Sequence, residues 1–305
     1  MSRFSCLFRL LTAASLLLAT APSLQAWSAN GHMVIAAAAW RELSPAVQRH
    51  VSEILKAHPD YRDWQRDFAR DSQGLDLALY LVLRASAWPD EIRRQGGAYD
   101  HPRWHYINHP LRAPRFRRES ASPGGDDILT GIAESEKALT DRRTAPAARA
   151  AALAWLIHLT GDLHQPLHCA SLFSPEFPAG DEGGNRFWIK PADRAIPLHS
   201  FWDGLLGTRH DPRAAVNEAI RISSEHPRRS LAELKRETTP GQWSVAGRAL
   251  ALDEAYRHSK LKPGTTPENA RPLLPDYPAK AKIVAERQAA LAGHRLADEL
   301  AHCLK

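Results

Sequence analysis

The sequence predicts an all-α fold: one mainly helical domain carrying a single small β-hairpin. Three observations lead there. Apolar residues recur at helical spacing along most of the chain beyond residue 26, and strand-like alternation is nearly absent. The Pro- and Gly-bearing stretches 110–125, 174–184 and 261–278 read as loops, because no shift in composition marks them as linkers. With 305 residues, 44% hydrophobic and 24% charged, the chain can bury a sizeable core, which excludes a disordered or fibrous protein. There is no internal repeat and no glycine-rich phosphate loop.

Taken in order, the first element is a leader. Arg3 and Arg9 flank the start of an apolar run at 10–19, and Leu24-Gln25-Ala26 puts a small residue before a break, as in a secretory signal peptide covering 1–26. The run is short for a bilayer span, so an uncleaved anchor is the weaker alternative. Cleavage leaves a domain of 27–305, exported to the periplasm or the medium. It lowers the net charge of +6 by two and removes Cys6. Cys169 and Cys303 then remain, as a disulfide or as two buried thiols.

Ser44-Pro45 predicts an N-cap with proline in the first turn, followed by Val47, Val51, Ile54 and Leu55 on one face. Asp126-Asp127 open a helix through Leu139. From Pro146 an Ala-rich helix carries Leu153, Trp155, Leu156, Ile157 and Leu159 up to Pro166; apolar on every side, it belongs at the centre of the domain. Further helices are expected over 214–222, 244–256 and 280–304, the last with Leu296, Leu300 and Cys303 on one stripe. Asp181-Glu182-Gly183-Gly184-Asn185 before Phe187-Trp188-Ile189 predicts the hairpin.

Chemistry concentrates in five places. His158 and Asp162 stand four apart on the apolar central helix, so they share a face. An imidazole and a carboxylate buried there need a metal ion or a hydrogen-bond network. His168 follows the proline stop, where the chain can turn back to the same cavity, whereas His164 points elsewhere and reads as structural. His199 and Asp203 repeat the four-residue spacing between bulky apolar residues. Trp27-Ser28-Ala29-Asn30-Gly31-His32 would open the mature chain, and a free α-amine with pKa near 8 is readily displaced of its proton by a metal. Asp90 in Trp88-Pro89-Asp90 and His105 in Trp104-His105-Tyr106-Ile107-Asn108 lie in less regular sequence. Arg93 joins Asp90 only if a helical turn follows. Each pair alone is a common core feature; together they point to metal.

With these residues in order, the sequence resembles the S1/P1 nucleases, a family of zinc-dependent enzymes whose fold is shared by the bacterial zinc phospholipases C. The resemblance rests on W-S-A-N-G-H, W-P-D, W-H-Y-I-N, H-L-T-G-D-L-H-Q-P-L-H, L-H-S-F-W-D and the closing A-L-A-G-H-R-L-A-D-E-L, and so covers the whole mature chain. It implies three zinc ions. Asp90, His105, His158 and Asp162 would hold one. Trp27, through its amine and carbonyl, would hold a second with His32, Asp162 bridging the two, and His168, His199 and Asp203 would hold the third. The nitrogen- and oxygen-donor set suits zinc, and the lack of thiolates argues against a closed structural site.

The implied reaction is in-line attack on phosphorus by water activated between the paired metals, the third metal stabilising the departing 3′ oxygen. Arg93 and Asn185 would stabilise charge on the phosphoryl oxygens, and Tyr106 would stack a base. Products would be 5′-phosphates from single-stranded DNA and RNA, with 3′-nucleotides also dephosphorylated, by a monomer needing no stable protein partner. Asn108 stands where fungal members carry a base-bonding aspartate, which leaves base preference open. Arg112, Arg115, Arg117 and Arg118 form a basic run that either tracks phosphates or is a solvated loop. Two rivals remain. A phospholipase C is disfavoured by Asp203 in place of glutamate, by the W-S-A-N-G-H spacing and by the absence of an apolar surface loop. A secreted zinc-binding protein without turnover is disfavoured by the presence of Arg93 and Asn185.

Overall fold

A computed structural model describes residues 27–93, 95–117 and 124–304. The expected leader at 1–26, Cys6 within it and Arg118 lie outside these residues. Among the described residues the chain forms α1 (Ala29–Glu42), α2 (Pro45–Leu55), α3 (Tyr61–Asp71), α4 (Leu77–Ile92), α5 (Ile128–Thr140) and α6 (Pro146–Asp162). The second half adds α7 (Leu198–Asp203), α8 (Pro212–Glu225), α9 (Glu233–Arg236), α10 (Pro240–Leu250) and α11 (Tyr277–Cys303). The mainly helical fold is as the sequence predicts. No described helix is long and apolar enough to cross a membrane.

The core is built around α6, buried from Ala150 to Asp162 without interruption. It packs against α4, α5, α1, α2 and α11, so an all-round apolar helix is the right occupant. Leu153, Leu156 and Leu159 are fully buried, each contributing about 1.5–3 kcal/mol of transfer free energy. N-caps begin α2 and α5 where the sequence places them. The Ser44 side chain accepts from Val47 N at 3.3 Å with Pro45 in the first turn, and Asp127 accepts from Leu129 N at 3.0 Å. Cys169 and Cys303 are separate buried thiols rather than a disulfide.

Three local readings need correction. Trp88-Pro89-Asp90 is not irregular: it lies inside α4, with Pro89 tolerated near the helix end. Proline cannot donate to the carbonyl four residues back, and α4 absorbs this within a buried stretch. The hairpin is displaced. Its strands are β3 (Trp188–Lys190) and β4 (Ile196–Pro197), and the Gly183-Gly184 turn precedes them rather than joining them. A parallel pair is also present, β1 (His109–Arg112) against β2 (Ala170–Phe173), while β5 (Arg271–Pro272) adds to β3. The start of segment 110–125 is thus strand, through Arg112.

Close helix packing at the α1–α11 crossing depends on Gly293. A Cβ there would sit 2.8 Å from Ala38 Cβ and 3.5 Å from the Ala39 nitrogen and the Ile35 oxygen, so rigid atoms would have to move. Gly293→Ala is expected to cost about 1–3 kcal/mol, read as a lowered urea midpoint at unchanged slope; an unshifted midpoint contradicts this packing account.

Candidate metal centre

Asp162, the last residue of α6, is the hub. Its Oδ2 lies 3.1 Å from His158 Nε2, one turn back, and 3.1 Å from His105 Nδ1. Its Oδ1 lies 3.3 Å from His32 Nε2. His32 comes from the first turn of α1, where Ser28 caps the helix by accepting from Gly31 N at 3.2 Å. Gly161 is the reason His32 can approach: a Cβ at 161 would be 3.0 Å from its Nδ1. The two rings of His32 and His158 stack at 3.9 Å. Asp90 enters from α4, with Oδ1 3.6 Å from His105 Nδ1 and 3.9 Å from His158 Nε2.

The segment before α1 is tied down on both sides. The Trp27 indole donates to Gly161 O at 3.0 Å, Ser28 N–H donates to Asp203 O at 3.0 Å, and the Asn30 amide donates to Leu206 O at 2.6 Å. Trp27 itself is fully buried. Backbone Trp27 is therefore delivered between the α6 terminus and α7.

A second cluster lies alongside. His168 sits on the short 3₁₀ turn Pro166–Cys169, and His199 and Asp203 are one turn apart on α7 with Nε2 to Oδ2 at 3.6 Å. The His168 and His199 rings are 4.9 Å apart. Backbone carbonyls orient the imidazoles through Nδ1–H. His168 donates to His105 O at 2.5 Å, His199 to Gly183 O at 2.7 Å and His158 to Ser86 O at 2.8 Å. Each bond leaves Nε2 as the ligating atom and fixes the ring plane.

Among the described residues three groups of ligating atoms result, those in each group within 4.8 Å of one another: His32, His158 and Asp162; Asp90, His105 and His158; and His168, His199 and Asp203. His105 Nε2 and His168 Nε2 are buried without a hydrogen-bond partner. Burying such atoms is costly unless something pairs with them. Burial drives His32 down to about 4 and His105 down to about 3, so both are neutral imidazoles with free lone pairs at neutral pH. Asp203 is held well above the carboxylate range by burial, and repulsion from Asp90 and Asp162 adds to it despite the Gln165 amide. His158 behaves oppositely. Burial opposes its charge, but Asp162 and Asp90 raise it to about 9. A buried group of carboxylates that draws a proton onto an imidazole is a site suited to cations, and its N/O donors fit zinc.

Arg93, Tyr106, Asn108 and Asn185 all line one cleft of about 120 Å³ with His105, His168 and His199. Arg93 follows the end of α4, as a helical turn after Asp90 requires, and its charge also lowers His105 and His168. Arg112, Arg115 and Arg117 are exposed beyond Asn108. His164 is turned away from the ligands. It donates from Nδ1 to Thr160 O at 2.7 Å and accepts from Arg295 at 2.8 Å, which is the structural role its position implies. Two residues were not singled out by sequence. Gln165 is buried, its amide donating to Asp203 Oδ1 at 2.8 Å while its oxygen accepts from Leu167 N at 2.6 Å. Glu182 joins the cleft wall. Gln165's place between Asp162 and His168 was the available signal; Glu182 offered none beyond its neighbour Gly183.

A family model described as S1/P1 Nuclease matches residues 27–305. Endonuclease 4 of Arabidopsis thaliana is 31% identical over 161 residues, 49% of this chain and 49% of that protein. Endonuclease 2 of the same plant is 26% identical over 196 residues, 61% of this chain and 58% of its own length. Nuclease P1 of Penicillium citrinum is 24% identical over 292 residues, 89% of this chain and 96% of the fungal protein. The chain thus spans about half the length of the plant proteins it matches and nearly all of the fungal one.

Proposed function

The chain belongs to the S1/P1 nuclease family, and on that premise we propose that it is a zinc-dependent phosphodiesterase cutting single-stranded DNA and RNA to 5′-phosphate products, with 3′-nucleotidase activity. The observation that carries this reading is the convergence of three His/Asp clusters beneath one cleft lined by Arg93, Tyr106, Asn108 and Asn185. The reading includes a mature domain of 27–305, released from the leader and exported.

Asp90, His105, His158 and Asp162 would hold one zinc; Trp27, His32 and Asp162 a second; His168, His199 and Asp203 a third. His158 appears in two clusters but serves one ion, because its Nδ1 is committed to Ser86 O and only Nε2 remains. When bound, zinc supplies Lewis acidity and brings the pKa of water from 15.7 toward about 7, so that a nucleophile exists near neutral pH.

The remaining work falls to the protein. Asp162 keeps both carboxylate oxygens directed at different imidazoles and so sets the spacing of two clusters. Arg93 lines the cleft as a cation, and Asn185, whose amide already donates one N–H to Glu182 O at 2.8 Å, has a second N–H to offer; both would serve phosphoryl oxygens whose charge grows in the transition state. The half-buried Tyr106 ring offers a stacking face, and a base can lie on it only when unpaired from a second strand. The Asn108 amide can both donate to and accept from a base edge.

Tyr106→Ala is expected to raise KM for a single-stranded oligonucleotide by about 5–150-fold, the equivalent of about 1–3 kcal/mol of stacking per base, with kcat changed much less. Equal losses in kcat and unchanged KM would place Tyr106 in another role. The reading as a whole is tested by incubating zinc-loaded protein that begins at Trp27 with a single-stranded oligonucleotide and, in parallel, with phosphatidylcholine. Chelator-sensitive cuts leaving 5′-phosphate and 3′-hydroxyl ends support it. Phosphatidylcholine hydrolysis without oligonucleotide cleavage overturns it in favour of a phospholipase C.

A further inference from the structure

Asp181 is fully buried, lies outside the ligand set and does not line the cleft. Its carboxylate is nevertheless where several segments meet. On β2 the Leu172 N–H donates to it at 2.8 Å and the Ser171 hydroxyl at 3.4 Å. The Tyr256 hydroxyl donates at 2.7 Å, and the Gly184 N–H donates from the loop that follows. A carboxylate buried at this depth is tolerated only where donors converge on it.

The loop so anchored takes an unusual path: Glu182, Gly183 and Gly184 stand consecutively at positive φ, 56°, 64° and 83°, which the two glycines adopt freely and Glu182 only at a cost. It is also tightly seated, since a Cβ at 183 would come 2.5 Å from Leu167 O. Two contacts pass from this loop to a proposed ligand. Gly183 O accepts the His199 Nδ1–H at 2.7 Å, and Gly184 O accepts the His199 backbone N–H at 3.3 Å. The next residue, Asn185, enters the cleft.

We propose that Asp181 is a positioning residue: by pinning the 182–184 loop it fixes the His199 imidazole and the Asn185 amide, and thereby sets zinc affinity at the His168, His199 and Asp203 cluster and the rate of phosphodiester cleavage. The assignment rests on the reading of that cluster as a zinc site. It gives the Asp181–Tyr256 pair a function that neither touches directly. Loss of the carboxylate would free Glu182 to relax away from positive φ and the loop to shift, carrying the carbonyl that orients His199 with it.

The test uses zinc-loaded protein beginning at Trp27, with Asp181→Asn, Tyr256→Phe and the destabilised but remote Gly293→Ala. Zinc per chain is followed through a graded chelator series, and kcat and KM are measured on a single-stranded oligonucleotide. Asp181→Asn keeps the shape but turns an acceptor into a donor facing donors. It is expected to lose one zinc at about 10–100-fold lower chelator strength than wild type, the usual effect of removing an outer partner of a ligand, with kcat falling comparably and KM nearly unchanged. Tyr256→Phe removes one of the donors and should move both readouts the same way by less. Gly293→Ala should lower the melting temperature yet hold zinc and kcat as wild type does. If Asp181→Asn does not fold, the comparison of Tyr256→Phe with Gly293→Ala decides alone. Wild-type zinc retention and kcat in the foldable Asp181 and Tyr256 variants, or zinc loss no greater than that of Gly293→Ala, overturns the assignment. A wild type that carries zinc but does not cleave overturns instead the nuclease reading beneath it, so the two failures are told apart.

Discussion

Asp162→Ala is expected to reduce kcat/KM by at least about 10⁴-fold, or about 5.5 kcal/mol at 1.36 kcal/mol per decade. The residue is fully buried and stands within 3.3 Å of His32 and 3.1 Å of both His105 and His158. Its loss therefore removes the carboxylate that the two proposed zinc ions, one at His32 and one at Asp90, His105 and His158, would share. The fold should survive, because burial already favours neutral His32 and His105, and without Asp162 the pull that raises His158 is weakened. Zinc content should drop by about two ions per chain while the His168, His199 and Asp203 cluster keeps its own. Zinc should also raise the melting temperature of the variant less than that of wild type, since bound metal stabilises only in proportion to its affinity. A variant that cleaves within tenfold of wild type would show that Asp162 is a core polar group and not the hub of a catalytic centre.

The second large effect concerns the chain start. Protein beginning at Trp27 and protein retaining Ala26 differ by one residue, yet the longer form is expected to cleave at least about 100-fold more slowly and to carry one zinc fewer. An α-amine with pKa near 8 gives up its proton to a metal readily; the amide nitrogen that replaces it does not. Position is the other limit. Trp27 is fully buried, with its indole bound to Gly161 O and the next N–H bound to Asp203 O, so its own nitrogen is held in place and no other amine can take that position by a local shift. Equal rates and equal zinc in the two forms would exclude Trp27 as a ligand through its amine.

Much of the centre was legible because helices convert spacing into direction. His158 and Asp162, like His199 and Asp203, were placed together by a four-residue interval, and the structure brings each pair to within 3.6 Å. Where a helix was itself hard to see, the reading weakened. Trp88-Pro89-Asp90 reads as less regular sequence, but Pro89 lies within α4 and Asp90 is delivered from a helix. The α1 helix is nearly all small and apolar, Ala36 to Ala39 included, and being buried on every side it shows no amphipathic period to detect. The β1–β2 pair joins His109 to Ala170 in parallel, a long-range contact that no local pattern encodes. The run 181–185 has the composition of a hairpin turn, yet its positive φ values serve to hold His199 rather than to reverse a strand. Gln165 and Asp181 act through other residues, and their roles depend on tertiary contacts alone.

The central claim is that the buried His/Asp clusters form one zinc centre that cleaves single-stranded nucleic acid. It is tested most directly by counting zinc per chain in protein that begins at Trp27, then withdrawing it stepwise with chelator while following cleavage of a single-stranded oligonucleotide and the chemistry of its ends. The account predicts three zinc ions at full activity, 5′-phosphate and 3′-hydroxyl ends, and a rate that falls as ions are removed and returns when zinc is restored. A folded protein holding its full zinc complement that leaves the oligonucleotide intact would contradict it.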